Sequence, residues 1–188
     1  MLNKTTNSNF HDLIRFFQVT GRLKKTPRSG WVEVGIPQPE SVADHLFRTA
    51  ILCMIYADLE DLNQLKLLRM ALIHDLPEAI TGDLTPSKKT KVSKDREDTV
   101  INQLLNLLPI KLREKYLIDW KEYQEGKTRD AKAVRQLEKL EMALQAIEYK
   151  PAGLTGQNLE RFIKSAEKAI TQPELTRLLS HTLEESNS

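Results

Sequence analysis

Cysteine occurs once in the 188 residues, as Cys53, so no internal disulfide staples the chain. Glycine is scarce too, at 7 residues, which disfavours a fold rich in hairpins and points toward helices. No apolar run approaches the roughly 18 residues a membrane span needs, and the opening MLNKTTNSNF is polar where a signal peptide carries its apolar segment. Charge of one sign is missing as well: 28 Lys and Arg against 26 Asp and Glu leave +2, far from the surplus of a nucleic-acid binder. These shortages exclude disulfide-rich secreted, membrane-spanning and polyanion-binding classes, and they predict a cytoplasmic protein with no membrane and no nucleic acid polymer among its partners. What is present is an ordinary globular balance, 40% hydrophobic and 29% charged. A chain this long buries about 70% of its unfolded surface, enough for a core without staples.

No repeat or linker divides the sequence, which reads as one domain. Apolar residues recur at helical spacing near 8–20, 39–59, 61–76, 94–108, 110–124, 128–149, 157–170 and 173–184. Ser41, Asp61, Ser93, Thr128 and Thr171 stand near helix starts, and Pro109, Gly126, Pro151 and Gly156 fall in the gaps. Strict alternation is absent, so the expected class is all-α. The segment PRSGWVEVGIPQP (27–39) is the one extended stretch, a loop or irregular ribbon. Lys88, Lys89, Lys91 and Lys94 concentrate positive charge in a Pro/Ser/Thr-rich segment; a solvated loop and a mobile lid over an anion both fit.

Two helices are polar where they should be apolar. Residues 50–57 are apolar nearly all round, which predicts a central helix, and His45 on its inner side belongs inside. In 61–76 an apolar stripe through Leu68, Leu72 and Ala79 runs across Asp75. A buried carboxylate there costs several kcal/mol unless a cation or strong donors hold it. A divalent ion shared by His74, Asp75 and His45 accounts for all three, since imidazole and carboxylate suit Mn, Fe, Co, Ni and Zn. Pro77 breaks the helix just beyond and opens space beside the ligands. Glu78 follows His74 by four residues, on the same face, and Asp83 after Gly82 puts a carboxylate at the rim. The alternatives are a core histidine bonded to a carbonyl at position 45, a helix-end ion pair at Asp75 and a helix-capping carboxylate at Glu78.

LKKTPRSGW (23–31), ESVADH (40–45), ALIHDLPEAITGDLTP (71–86) and QLEKLEMALQAIEY (136–149) occur in an order that resembles the HD-domain phosphohydrolases, within them the 5′-deoxynucleotidases. The resemblance spans most of residues 10–150. It implies a single HD domain over 1–188, a helical bundle around a central metal site, with a core near 10–150, the helices of 151–188 packed on it, and mobile ends at 1–7 and 185–188. It implies one divalent ion (Mn, Co, Zn, Fe, Ni or Mg) held by His45, His74, Asp75 and a fourth carboxylate. That position carries Glu138 where the family has Asp, and a solvent-facing helix charge three residues after Arg135 is its plainer reading.

The same resemblance implies catalytic roles for Glu78 and Asp83 on the water or leaving group, a phosphate-holding role for Arg28, and substrate contact by Trp31. A structural salt bridge fits Arg28 equally, and filling the core fits Trp31. The implied reaction is hydrolysis of deoxynucleoside 5′-monophosphates to deoxynucleosides and phosphate, in a homodimer. Other nucleotides, cyclic or alarmone, are the rival substrates, and a non-catalytic nucleotide-binding module is the rival class because of Glu138. His11 and His181 are remote from the motifs, and the stripe Leu159, Phe162, Ile163, Ala166 and Ile170 is core or a subunit contact.

Overall fold

Ser41 and Asp44 fix where the central helix begins: Ser41 Oγ accepts from the Asp44 amide at 3.2 Å, and Asp44 Oδ2 accepts from the Ser41 amide at 2.8 Å. In the computed structural model, which describes residues 4–150 and 157–186, that helix is one of a mostly helical set. The elements are α1 (Lys4–Thr20), a 3₁₀ turn (Gly21–Lys25), α2 (Ser29–Glu33), α3 (Val42–Leu59), α4 (Gln64–Ile73), α5 (Glu78–Thr81), α6 (Lys91–Leu105), α7 (Ile110–Glu125), α8 (Arg129–Tyr149), α9 (Gln157–Ala169) and α10 (Pro173–Ser186). Among the described residues there is no strand, only an isolated bridge between Pro27 and Ser41. The break expected at Pro151 and Gly156 lies outside the described residues, as do 1–3 and 187–188 of the ends expected to be mobile; residues 4–7 and 185–186 are helical.

Several boundaries differ from the periodicity, each for a local reason. α4 starts at Gln64 and not at 61, because Asp61 sits in the left-handed region (φ 49°) and Asn63 supplies the cap by accepting from the Lys66 amide. α6 starts three residues early because Thr90 and Ser93 form a capping box. The expected ribbon at 27–39 contains the short helix α2, tied to the start of α3 by Arg28 N→Glu40 O and Val42 N→Thr26 O bonds. Gly30 lets it lie against α9, since a Cβ there would come within 3.0 Å of the Phe162 ring.

α3, α4, α8, α9 and α10 share one apolar cluster that includes Cys53, Leu67, Met70, Leu137, Leu140, Ala166, Ile170 and Leu175. A second cluster joins the α1 end, α3, the α4–α5 corner and α6 through Val42, Leu46, Ile73, Ile101 and Leu105, and a third packs Trp31 against Ala146, Leu159 and Ile163. Burying each large aliphatic contributes about 1.5–3 kcal/mol. The stripe on α9 is thus core. Two sequence expectations change. α3 is not enclosed: Phe47, Ile51, Ile55 and Leu59, at four-residue spacing, are 68%, 38%, 51% and 76% exposed. α4 buries Leu67, Met70, Ala71 and His74, while Leu72 faces out, so Asp75 lies beside the buried stripe and not on it.

Candidate metal centre

α4 gives up its regular ladder where Pro77 lacks an N–H, and the chain tightens into three-residue turns, with Leu76 N→Ile73 O at 3.1 Å and Glu78 N→Asp75 O at 3.0 Å. That corner lets the adjacent side chains of His74 and Asp75 face one point. Gly82, at φ 75°, then turns the chain so that Asp83 meets the N-terminus of α2. Ser29 N donates to Asp83 Oδ2 at 2.5 Å, Ser29 Oγ to Asp83 O at 2.8 Å, and Arg28 Nη1 lies 3.6 Å from Asp83 Oδ1.

The two imidazoles are oriented from their far sides. His74 Nδ1 lies 2.8 Å from the carbonyl oxygen of Ala71. A carbonyl only accepts, so the proton is on Nδ1 and Nε2 keeps its lone pair. His45, wholly buried, places Nδ1 against Glu141 Oε2. Both Nε2 atoms are buried and lack a hydrogen-bond partner. One ligand atom from each of His45, His74 and Glu138 lies within 4.8 Å of the others. Asp75 Oδ2 stands 3.2 Å from His74 Nε2, off the hydrogen-bonding direction, and 3.9 Å from His45 Nε2. These four residues bring only acceptors together. A buried acceptor without a partner costs about 1–3 kcal/mol, and facing lone pairs repel; a cation relieves both. Two imidazole nitrogens with two carboxylates fit a borderline divalent metal.

Glu138 is not the solvated charge partnered by Arg135. Its side chain is 16% exposed, accepts from Tyr123 Oη at 2.5 Å and pairs with Lys139 Nζ at 3.1 Å. Burial works against its charge, but the Lys139 ammonium leads the groups that hold its carboxyl at about 2. Asp75 is also largely buried, yet its carboxyl is held below the usual range, with the Arg28 guanidinium beside it. Glu78 goes the other way: burial, then the charges of Asp75 and Asp83, push its carboxyl well above the usual range, and its Oε2 is buried without a partner. Neighbouring acids whose affinities for a proton are driven apart are the arrangement acid–base chemistry requires.

A cavity of about 430 Å³ opens onto these groups. Arg28, Lys89, Arg135 and Lys139 give it positive charge, and Trp31, Leu84, Met142 and Phe162 give it an apolar wall. Arg28 Nη1 lies 3.4 Å from Asp75 Oδ2. Trp31 is 1% exposed, packs against the Phe162 ring with centroids 4.1 Å apart and a 43° tilt, and donates Nε1–H to Glu40 at 2.8 Å, so it is a fixed wall. A second recess of about 280 Å³ reaches the same acids past His74, Lys94 and Tyr123. The 85–90 segment between them is tied down by Lys88–Glu33 at 2.8 Å and Lys89–Glu97 at 3.1 Å. His11 lines a separate cavity by α1, and His181 pairs with Glu184 on α10.

Sequence reasoning missed Glu141, Tyr123, Arg135 and Lys139, and it named Lys89 only as part of a basic segment that is either a solvated loop or a lid. Glu141 carried a usable signal, a carboxylate between Leu137 and Leu144 on an apolar helical line, the same anomaly that marks Asp75. The others are ordinary surface-type residues in sequence, and only the packing of α7 on α8 and of the 85–90 segment brings them to the cavity.

An HD domain family model matches residues 20–177. The mouse 5′-deoxynucleotidase HDDC2 is 36% identical over 178 residues, 94% of this chain and 89% of that protein. The fission yeast 5′-deoxynucleotidase hdd1 is 36% identical over 179 residues, 92% of this chain and 89% of that protein. In three dimensions the crystal structure of the PH0347 protein from Pyrococcus horikoshii matches with a TM-score of 0.71 at 32% identity, covering 92% of this chain and 97% of that one.

Proposed function

The chain belongs to the HD domain family, and from that premise we propose that it is a metal-dependent 5′-deoxynucleotidase, hydrolysing deoxynucleoside 5′-monophosphates to deoxynucleosides and phosphate. The observation that carries this reading is the convergence of ligand atoms of His45, His74 and Glu138, with Asp75 Oδ2 beside both Nε2 atoms, next to a cavity lined by Asp75, Glu138, Arg28 and Glu78. The named activity of the mouse and yeast relatives agrees with it. His45, His74, Asp75 and Glu138 would hold one divalent ion, and the two imidazole donors favour a transition metal such as Mn, Fe, Co, Ni or Zn over Mg. When bound, the ion supplies Lewis-acid charge that lowers the pKa of water and neutralises phosphoryl oxygens.

The remaining work falls to the chain's own groups. Arg28 presents a planar fork to the phosphate, which water attacks as the bond from phosphorus to the 5′ oxygen breaks. Glu78, buried and able to hold a proton, takes one from the water and returns one to the departing 5′ oxygen. Asp83 acts beside it, with one oxygen bound by the Ser29 amide and the other facing Arg28, and so sets the position of the fork. The wall of Trp31, Leu84, Met142 and Phe162 receives the nucleoside, while Lys89 closes the phosphate side.

Residues 1–188 form one domain in this reading, supported by the shared cluster of α8, α9 and α10. It works as a homodimer, for which the exposed stripe Phe47, Ile51, Ile55 and Leu59 is the supporting feature: four large apolar side chains in line on one helix match an identical helix across a two-fold axis. Residence in the reducing cytoplasm suits Cys53, fully buried, with its thiol pushed up to about 12 by burial and then by Glu138. Phosphate release from a panel of deoxynucleoside 5′-monophosphates, with Mn or Co added, tests the activity. Turnover of several substrates is expected; a flat panel with every metal removes the claim and leaves a nucleotide-binding module.

A further inference from the structure

His45 reaches the metal centre from α3, and the group behind it lies on α8. Glu141 is 0% exposed. Its Oε2 faces His45 Nδ1, and its Oε1 accepts from Arg48 Nε at 3.0 Å. Arg48 stands one turn after His45 and is itself gripped, with Nη1 donating to both oxygens of Glu148 at 2.6 and 2.7 Å and Nη2 to Gln145 Oε1 at 2.7 Å. The guanidinium can only donate, so it commits one Glu141 oxygen and leaves the other as an acceptor aimed at the imidazole. The proton between Glu141 and His45 then belongs on Nδ1, and the lone pair on the buried, unpartnered Nε2. His74 obtains the same tautomer from a neutral carbonyl, at Ala71. The two imidazoles are therefore unequal donors, since a carboxylate behind a ring raises its basicity more than a carbonyl does.

We infer that Glu141, clamped by Arg48, is a positioning residue that holds His45 in the Nδ1–H tautomer and strengthens Nε2 as a metal ligand. This rests on the reading of the site as a metal centre, and it adds a contact on the side of the ring away from the ion. Glu141→Gln is the informative substitution, because one amide oxygen cannot serve both His45 and Arg48. If the amide NH₂ turns to His45, the ring must carry its proton on Nε2 and stops donating.

The test is zinc affinity of the full chain, measured by competition with a chromophoric chelator, for the wild type, Glu141→Gln and Glu148→Gln. Among the described residues Glu148 holds only Arg48, and it is 55% exposed, so its variant reports the effect of disturbing the ion-pair chain at its outer end. Expected is a loss of zinc affinity of about 10–100-fold for Glu141→Gln and none for Glu148→Gln. Equal affinities for Glu141→Gln and wild type overturn the inference while leaving the hydrolase reading intact. A wild type that binds no zinc, manganese or cobalt overturns both. Should Glu141→Gln fail to fold, ¹⁵N-histidine NMR of the zinc-loaded wild type decides: a proton on His45 Nδ1 supports the assignment, and one on Nε2 overturns it.

Discussion

Replacing Glu138 by Asp installs the shorter carboxylate that the resemblance implies at the proposed ligand position, yet the structure predicts a stability cost. The side chain shortens by one carbon–carbon bond, roughly 1.5 Å. Tyr123 Oη, now 2.5 Å from Glu138 Oε2, is then left at a distance that is no hydrogen bond. Tyr123 is 7% exposed. A buried hydroxyl that loses its partner costs about 1–3 kcal/mol, which for a domain of this size is roughly 2–12 °C in Tm. Removing both partners is nearly neutral, so Tyr123→Phe, destabilising in the wild-type background, should cost almost nothing once Glu138→Asp is in place. Thermal unfolding followed by circular dichroism, in chelator, for the two single variants and the double gives the coupling energy directly. Phosphate release with added metal supplies the second readout, and Glu138→Asp should keep or raise it while Glu138→Ala loses metal. Additive unfolding shifts would refute the account of Tyr123, and a Glu138→Asp protein as metal-poor as Glu138→Ala would refute the account of the ligand.

Arg28→Met should lower kcat/KM by about 10²–10³ without lowering metal content, and Arg28→Lys should recover only part because the fork is gone; metal analysis beside kinetics separates the two effects. Glu78→Gln should depress kcat with metal still bound, and retained turnover would remove Glu78 from proton transfer. Chelator should abolish phosphate release and added Mn or Co restore it, whereas activity that survives metal-free dialysis contradicts the centre. Ile51→Asp, on the exposed α3 stripe, should turn the proposed homodimer into a monomer in analytical ultracentrifugation, and a wild type that already sediments as a monomer, or an unchanged coefficient, counts against this interface.

Three of the four ligand candidates stand out in the sequence because their chemistry offends the helical pattern around them. His45 lies on the inner side of an apolar helix, and Asp75 stands next to His74 at a corner that Pro77 imposes. These are short-range facts, set by periodicity and by a missing N–H. Glu138 needed the order of the motifs as well, since its own neighbours on α8 make it look like an ordinary surface charge. The helical class followed from spacing, but the starts of α4 and α6 turned on which of two nearby polar residues captured a backbone amide, and a pattern averaged over turns does not record that.

Contacts between distant segments decided the rest. Nothing near Tyr123, Arg135 or Lys139 distinguishes them in sequence, and the basic run around Lys89 does not say where it points; they reach the cavity because α7 packs on α8 and because the 85–90 segment is pinned to Glu33 and Glu97. The direction in which His45 presents its lone pair depends on Glu141, 96 positions away. Which side of α3 faces solvent was likewise hidden, because that helix is apolar on both faces and composition cannot tell a core from a surface awaiting a partner. Residue chemistry states what a side chain is able to do, and the long-range packing of α3 against α8 states what it is positioned to do it to.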